Sequence, residues 1–187
     1  MEIQDATAER WADVEQVMAG PGDPGRCWCQ FFRLTNAGWR ETRTADRRAA
    51  LQEQVSGSGP APGVVGYVNG EPVGWCAVAP RADYVRLDTT RVAQATDDGD
   101  GVWSVTCFVV RVGHRRRGLA TELLAGAVEL ARRRGATVIE GYPVDPTAQV
   151  QTTSSGLYHG AASTFAALGF SEVARPTPAR PVMRLTL

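Results

Sequence analysis

The chain has 187 residues, 43% hydrophobic and 21% charged, with 20 basic and 20 acidic side chains and a formal net charge of zero. This length fits a single domain, residues 1–187, with a sizeable core, and the composition argues against disorder. Every basic residue is Arg, but the balanced charge speaks against a nucleic-acid partner.

No apolar run approaches a membrane span, and Met1-Glu2-Ile3-Gln4-Asp5 is no signal peptide. The expected location is therefore cytoplasmic, with no membrane partner and with cysteines kept as thiols. Cys27 and Cys29 are one residue apart, and Cys76 and Cys107 lie inside apolar runs. That is not a metal pattern, and Cys76 and Cys107 read as buried hydrophobes.

Glu2 to Ala6 reads as a first strand. Thr7 then offers an N-cap to a helix whose face is Trp11, Val14, Val17 and Met18. The run Gly20 to Gly25 ends it. Cys27-Trp28-Cys29-Gln30-Phe31-Phe32 is dense in aromatics and sulfur and has no clear period. Trp39 would extend the patch, which by its residues alone fits a core plug under a loop. A second helix is expected from about Thr44 to Val55, with Ala45, Ala49 or Ala50, Leu51 and Val55 inward and Arg47, Arg48 and Glu53 outward.

Ser56 to Gly63 is a surface loop. Val64 to Val68 and Val73 to Val78 form a hairpin across Asn69-Gly70, a strong short-range turn signal. Arg81 to Ala95 is a short helix or an irregular excursion, and Asp97 to Gly101 is an acidic turn without calcium-loop spacing. Trp103 to Val110 is a buried strand. Ala136 to Tyr142 is another, with Val138, Glu140 and Tyr142 on one face. Gln149 to Ser155 is a polar loop, Leu157 to Leu168 contains a short helix, and Phe170 to Ala174 and Arg180 to Leu187 are closing strands. The order implies an α/β (α+β) domain with a mixed sheet.

Between the strand ending at Val110 and the next strand lies an amphipathic helix whose stripe is Leu119, Leu123, Ala127 and Leu130. Gly135 suits its C-cap. An Arg triplet stands at each end. Arg132, Arg133 and Arg134 complement the helix dipole. Arg115, Arg116 and Arg117 sit at the opposite, positive end, where the first N–H groups are unpaired. Cations there are misplaced unless an anion meets them. With Gly118 freeing the backbone, the arrangement describes a phosphate site; the bland alternative is a solvated basic turn.

Arg115-x-x-Gly118-x-Ala120, set between strand and helix, resembles the acyl-CoA-binding motif of the GNAT acetyltransferase superfamily. Phe165-Ala166-Ala167-Leu168-Gly169-Phe170 resembles a second feature of that superfamily, a short helix ending in Leu-Gly-Phe. The resemblance is good from about Gly63 onward. It implies a GNAT-like fold: a mostly antiparallel six- to seven-stranded sheet flanked by about four helices. It also implies an N-acetyltransferase using acetyl-CoA as co-substrate, with direct transfer in a ternary complex and no covalent intermediate.

Coenzyme contacts are then expected from Val109, Val110, Val112, Arg115, Arg116, Arg117, Gly118, Leu119, Ala120 and Thr121. The pantetheine arm would pair with the strand near Val110 and Val112. Cys27, Trp28, Phe31 and Tyr142 are the expected acceptor-side residues. The acceptor would be a small-molecule or peptide amine, and the protein a monomer or homodimer.

An alkylamine with a pKa of about 10.4 must lose a proton before it attacks. Glu140, in an apolar run, is a candidate base; a structural ion pair with an Arg is the level alternative. Relatives often carry a Tyr as general acid five residues before the final Phe, but here that position is Phe165. Tyr158 is the substitute candidate, and His159 follows it. The departure at Phe165 also leaves open a CoA-binding sensor or partner domain that has lost turnover.

Overall fold

The computed structural model describes residues 1–20, 22–90, 99–148 and 158–187. The polar loop at Gln149 to Ser155 and part of the acidic turn lie outside the described residues.

The elements are β1 (Glu2–Asp5), α1 (Trp11–Met18), α2 (Pro24–Cys27), α3 (Asn36–Glu41), α4 (Thr44–Ser56), β2 (Gly63–Val68), β3 (Glu71–Pro80), β4 (Val102–Val110), α5 (Leu119–Arg133), β5 (Val138–Gly141), α6 (Ala162–Ala166), β6 (Ser171–Thr177) and β7 (Arg180–Thr186). The strands form one seven-stranded sheet in the order β1-β2-β3-β4-β5-β7-β6. Only β4 and β5 run parallel; every other pairing is antiparallel.

Period-two alternation divides the core between the two faces. Val64, Cys76, Val78, Val105 and Ile139 pack against Leu123, Leu124, Ala127 and Leu130 of α5. Val65, Trp75, Ala77 and Val109 pack on the other face against Val14, Val17 and Met18 of α1 and Leu51 and Val55 of α4. Each fully buried leucine contributes about 1.5–3 kcal/mol. The β2–β3 turn has Asn69 at φ 51° and Gly70 at φ 79°; two successive left-handed residues match the twist of the hairpin. Gly126 lets α5 close on β1, because a Cβ there would lie 2.3 Å from Ile3 Cγ2.

Three expectations needed correction. Ala45 and Ala49 are exposed, whereas Arg47 and Arg48 lie half-buried. The Arg47 guanidinium stacks 3.4 Å from the Trp39 ring centroid and donates to the carbonyls of Trp39 and Thr42. Arg48 pairs with Glu15. Long Arg stems can cover apolar surface while their heads find partners, so residue class misreads such a face. Helix α3, carrying Trp39, was not expected; Thr35 caps it by accepting from the Gly38 N–H. β5 is shorter than its apolar pattern, at four residues.

Candidate active site

The central feature is a parting of strands. The β4–β5 ladder runs only from Val102↔Val138 to Val105↔Gly141, while β4 continues to Val110. After Gly141 the chain turns away and Val144 bridges Ala161 instead. The pairing of β4 with β3 jumps from Ala77↔Cys107 to Val78↔Val105, so Thr106 is the extra residue of a β-bulge, which bends its strand. Beyond the bulge the Arg111 N–H bonds to Val73 O on β3. Alternation then turns the N–H and C=O groups of Phe108 and Val110 toward the open side.

The open edge leads into the turn before α5. Gly113, Arg116 and Gly118 have φ of 93°, 62° and 78°, conformations that aim successive N–H groups into a concavity. A Cβ on Gly118 would meet nothing within 4 Å, so glycine is required there for its φ rather than for space. Gly118 O receives the Thr121 N–H at 2.9 Å, leaving the first amides of α5 to point outward. Arg115, Arg116 and Arg117 are exposed. Arg115 Nε donates to Val110 O at 2.9 Å, closing the turn against the end of β4. Among the described residues Arg116 and Arg117 make no ion pair. Val112 is 70% exposed and lies past the end of the strand. His114 leans instead toward Glu71, which also holds Arg111.

Deeper in the gap, Glu140 is fully buried. It accepts from the Tyr142 hydroxyl and from Arg184 Nε, each at 2.5 Å, and Arg81 Nε lies 3.6 Å away. Arg81 also holds Asp88, and Ser104 Oγ is 3.0 Å from the Tyr142 hydroxyl. Burial, then the Glu140 charge, pushes the Tyr142 pKa well up. Glu140 and Tyr142 thus come together, as their shared face implied, but inside a closed network.

The expected acceptor-side residues divide. Trp28 is buried in the core beside Trp11, with ring centroids 6.2 Å apart. Phe31 stacks edge-on with Phe32 at 5.0 Å and with Trp39 at 5.3 Å, under the Arg86 guanidinium. Phe32 packs with Tyr84, Leu87, Tyr142 and Val182 on the same face as Glu140. Trp28 and Cys29 both adopt left-handed φ, a local strain typical of a functional loop. Burial raises the Cys27 pKa to about 11, and a hydrogen bond with Cys107, then burial, raises that of Cys29. A nucleophilic cysteine needs the opposite shift.

Tyr158 and His159 come next. Tyr158 is 36% exposed and stacks on the imidazole with ring centroids 4.1 Å apart. Burial raises its pKa to about 12. His159 is 2% exposed and lies 5.3 Å from the Phe32 ring. Burial, then the Arg180 charge, lowers its pKa to about 3, against a hydrogen bond to the Thr106 backbone that favours the charged form. Its Nδ1 has no partner among the described residues. An orphaned buried polar atom costs about 1–3 kcal/mol, so it invites a functional account. Phe165 is fully buried, edge-on to Phe108 and Phe170. It packs so closely that a Cβ on Gly141 would meet it at 2.1 Å.

The sequence does not single out the Thr106 bulge; it marks Phe32 only as part of the aromatic run and His159 only as a possible donor beside Tyr158. Among the described residues there is no cluster able to hold a metal and no helix long and apolar enough to cross a membrane.

The acetyltransferase (GNAT) family model matches residues 28–159. No curated protein matches the chain at a significant level. Among solved structures, a ribosomal-protein-alanine N-acetyltransferase from Brucella melitensis is 19% identical, covering 100% of each chain with a TM-score of 0.55. YncA of Salmonella typhimurium, solved with its cofactor acetyl-CoA, is 18% identical, covering 100% of this chain and 93% of its own at 0.55. An aminoglycoside acetyltransferase solved with coenzyme A and kanamycin is 19% identical, covering 98% and 93% at 0.53. These likenesses concern the fold; the family match takes in β4, the Arg-rich turn and α5, and by it the chain belongs to the acetyltransferase (GNAT) family.

Proposed function

We propose that the protein transfers an acetyl group from acetyl-CoA directly to an amine acceptor. The observation that carries this reading is the open edge of β4 running into a helix start crowded with unpaired Arg. The diphosphate would lie against the amides of residues 117–120, paired with Arg116 and Arg117. The pantetheine amides would bond the free N–H and C=O of Phe108 and the N–H of Val110, whose carbonyl Arg115 holds. One of those N–H groups would then meet the thioester oxygen as charge develops on it. The fold neighbours solved with acetyl-CoA or coenzyme A support the choice of co-substrate.

Tyr158, kept protonated, donates to the departing thiolate in place of the hydroxyl that Phe165 lacks. Glu140 serves as an anchor rather than a base: proton transfer to it would break its pairing with Arg184 and Tyr142. The acceptor enters from the face that carries Phe31 and Phe32.

The test is calorimetric titration with acetyl-CoA, followed by thiol-release assays against kanamycin, an alanine-terminated peptide and simple alkylamines. Arg116→Glu with Arg117→Glu is expected to weaken acetyl-CoA binding at least about 30-fold. Unchanged binding would remove the basis of the reading. The hydroxyl-free Phe165 favours one second reading, a CoA-binding partner domain. Tight acetyl-CoA binding with no transfer to any amine would select it.

A further inference from the structure

We propose that Nδ1 of His159 accepts a hydrogen bond from the N–H of the acceptor amine, at the point where β4 and β5 part, and so aims the nitrogen lone pair at the thioester. This rests on the acetyltransferase reading above and adds the residue that receives the acceptor.

The argument is geometric. One side of the imidazole is committed to the Thr106 backbone at the bulge that opens the gap. A ring that donates there carries a lone pair, not a proton, on its other nitrogen. That other nitrogen, Nδ1, is buried and has no partner among the described residues. Its neighbours are aromatic: Phe32 on the acceptor face and Tyr158 above. A neutral acceptor atom between aromatic walls, with the Arg180 charge near the ring, suits an uncharged amine and disfavours an ammonium. The role is orientation, not proton storage, since the burial that keeps the ring neutral also makes it a weak base. Tyr158, stacked on the ring and 36% exposed, is the residue that would shift to admit the acceptor.

Gln and Asn separate the two nitrogens. His159→Gln retains a donor near the ε position, and so the Thr106 bond, but has nothing at δ. His159→Asn retains a polar atom at δ. The assay uses hydroxylamine as a small surrogate amine and reads acetohydroxamate formed from saturating acetyl-CoA by the full-length protein. Calorimetry with acetyl-CoA and a thermal melt are run on each variant.

The expected result for His159→Gln is a native melt, acetyl-CoA affinity within about twofold of the parent, and kcat/KM for hydroxylamine lower by at least about 30-fold. His159→Asn should recover part of that loss. A purely structural role predicts the reverse order, so a Gln variant with parental kinetics overturns the proposal. Parent protein that binds acetyl-CoA but acetylates neither hydroxylamine nor any other amine selects the CoA-binding partner domain, and the proposal falls with the acetyltransferase reading. Failure of the parent to bind acetyl-CoA would sink the acetyltransferase reading itself.

Discussion

Glu140 and His159 are both polar, both buried and both placed where β4 and β5 part, yet their hydrogen-bond accounts differ. Glu140 faces Tyr142, Arg184 and Arg81, and each carboxylate oxygen has a donor. His159 satisfies one nitrogen, and the other has no partner among the described residues. A closed network of charges joins β5 to β7 and to the segment after β3, which is structural work. An unfinished one beside an open strand edge leaves a hydrogen bond for a reactant to complete. Burial alone does not separate a scaffold residue from a working one; completeness of pairing does.

The comparison can be broken most forcefully at Glu140. Glu140→Ala leaves the Arg184 and Arg81 guanidiniums without their shared buried carboxylate and is expected to destabilise the fold by about 3–5 kcal/mol, read by urea denaturation. A loss under about 1 kcal/mol would return Glu140 to the list of reactive groups.

A smaller effect sharpens the His159 side. Its folded pKa of about 3 lies below the unfolded value of 6.5, so the unfolded chain takes up a proton first. Stability from this residue is therefore intact above pH 6.5 and is lost as the pH falls toward 3. Linkage gives a loss of about 2 kcal/mol between pH 6 and pH 4.5. Parallel denaturation curves should show that increment in the parent and not in His159→Gln. Equal slopes in the two proteins would mean that the imidazole is not held neutral.

The smallest effect concerns the aromatic wall. Thr35 caps α3 through the Gly38 N–H at 3.1 Å, and Thr35→Ala should cost about 1 kcal/mol. Because α3 carries Trp39, which buttresses Phe31 at 5.3 Å, the acceptor KM should rise while acetyl-CoA affinity holds. A matching loss of acetyl-CoA affinity would show that the two ends of the site are not separate.

The open strand edge and Arg-rich turn, the proposed cofactor end, were largely legible before any fold was known. The run from Val110 to Thr121 is contiguous, and strand period, glycine chemistry, helix dipole and Arg charge all act within a few residues of one another. The hairpin at Asn69-Gly70 and the helix stripe from Leu119 were legible for the same reason. The acceptor end was not. Phe32, Thr106, Tyr142 and His159 are far apart in the chain, and nothing local to any of them records the others. Even the correct pairing of Glu140 with Tyr142 left open whether the carboxylate was available, because Arg184 and Arg81 come from other strands and turns.

Local interactions thus decided where most strands and helices form and where an anion would be welcome. Only the assembled sheet decided that β5 ends four residues in, that the Thr106 bulge bends β4 away from it, and which buried polar atoms find partners. Desolvation and long-range pairing depend on which surfaces meet, and a linear chain does not hold that information at any one position.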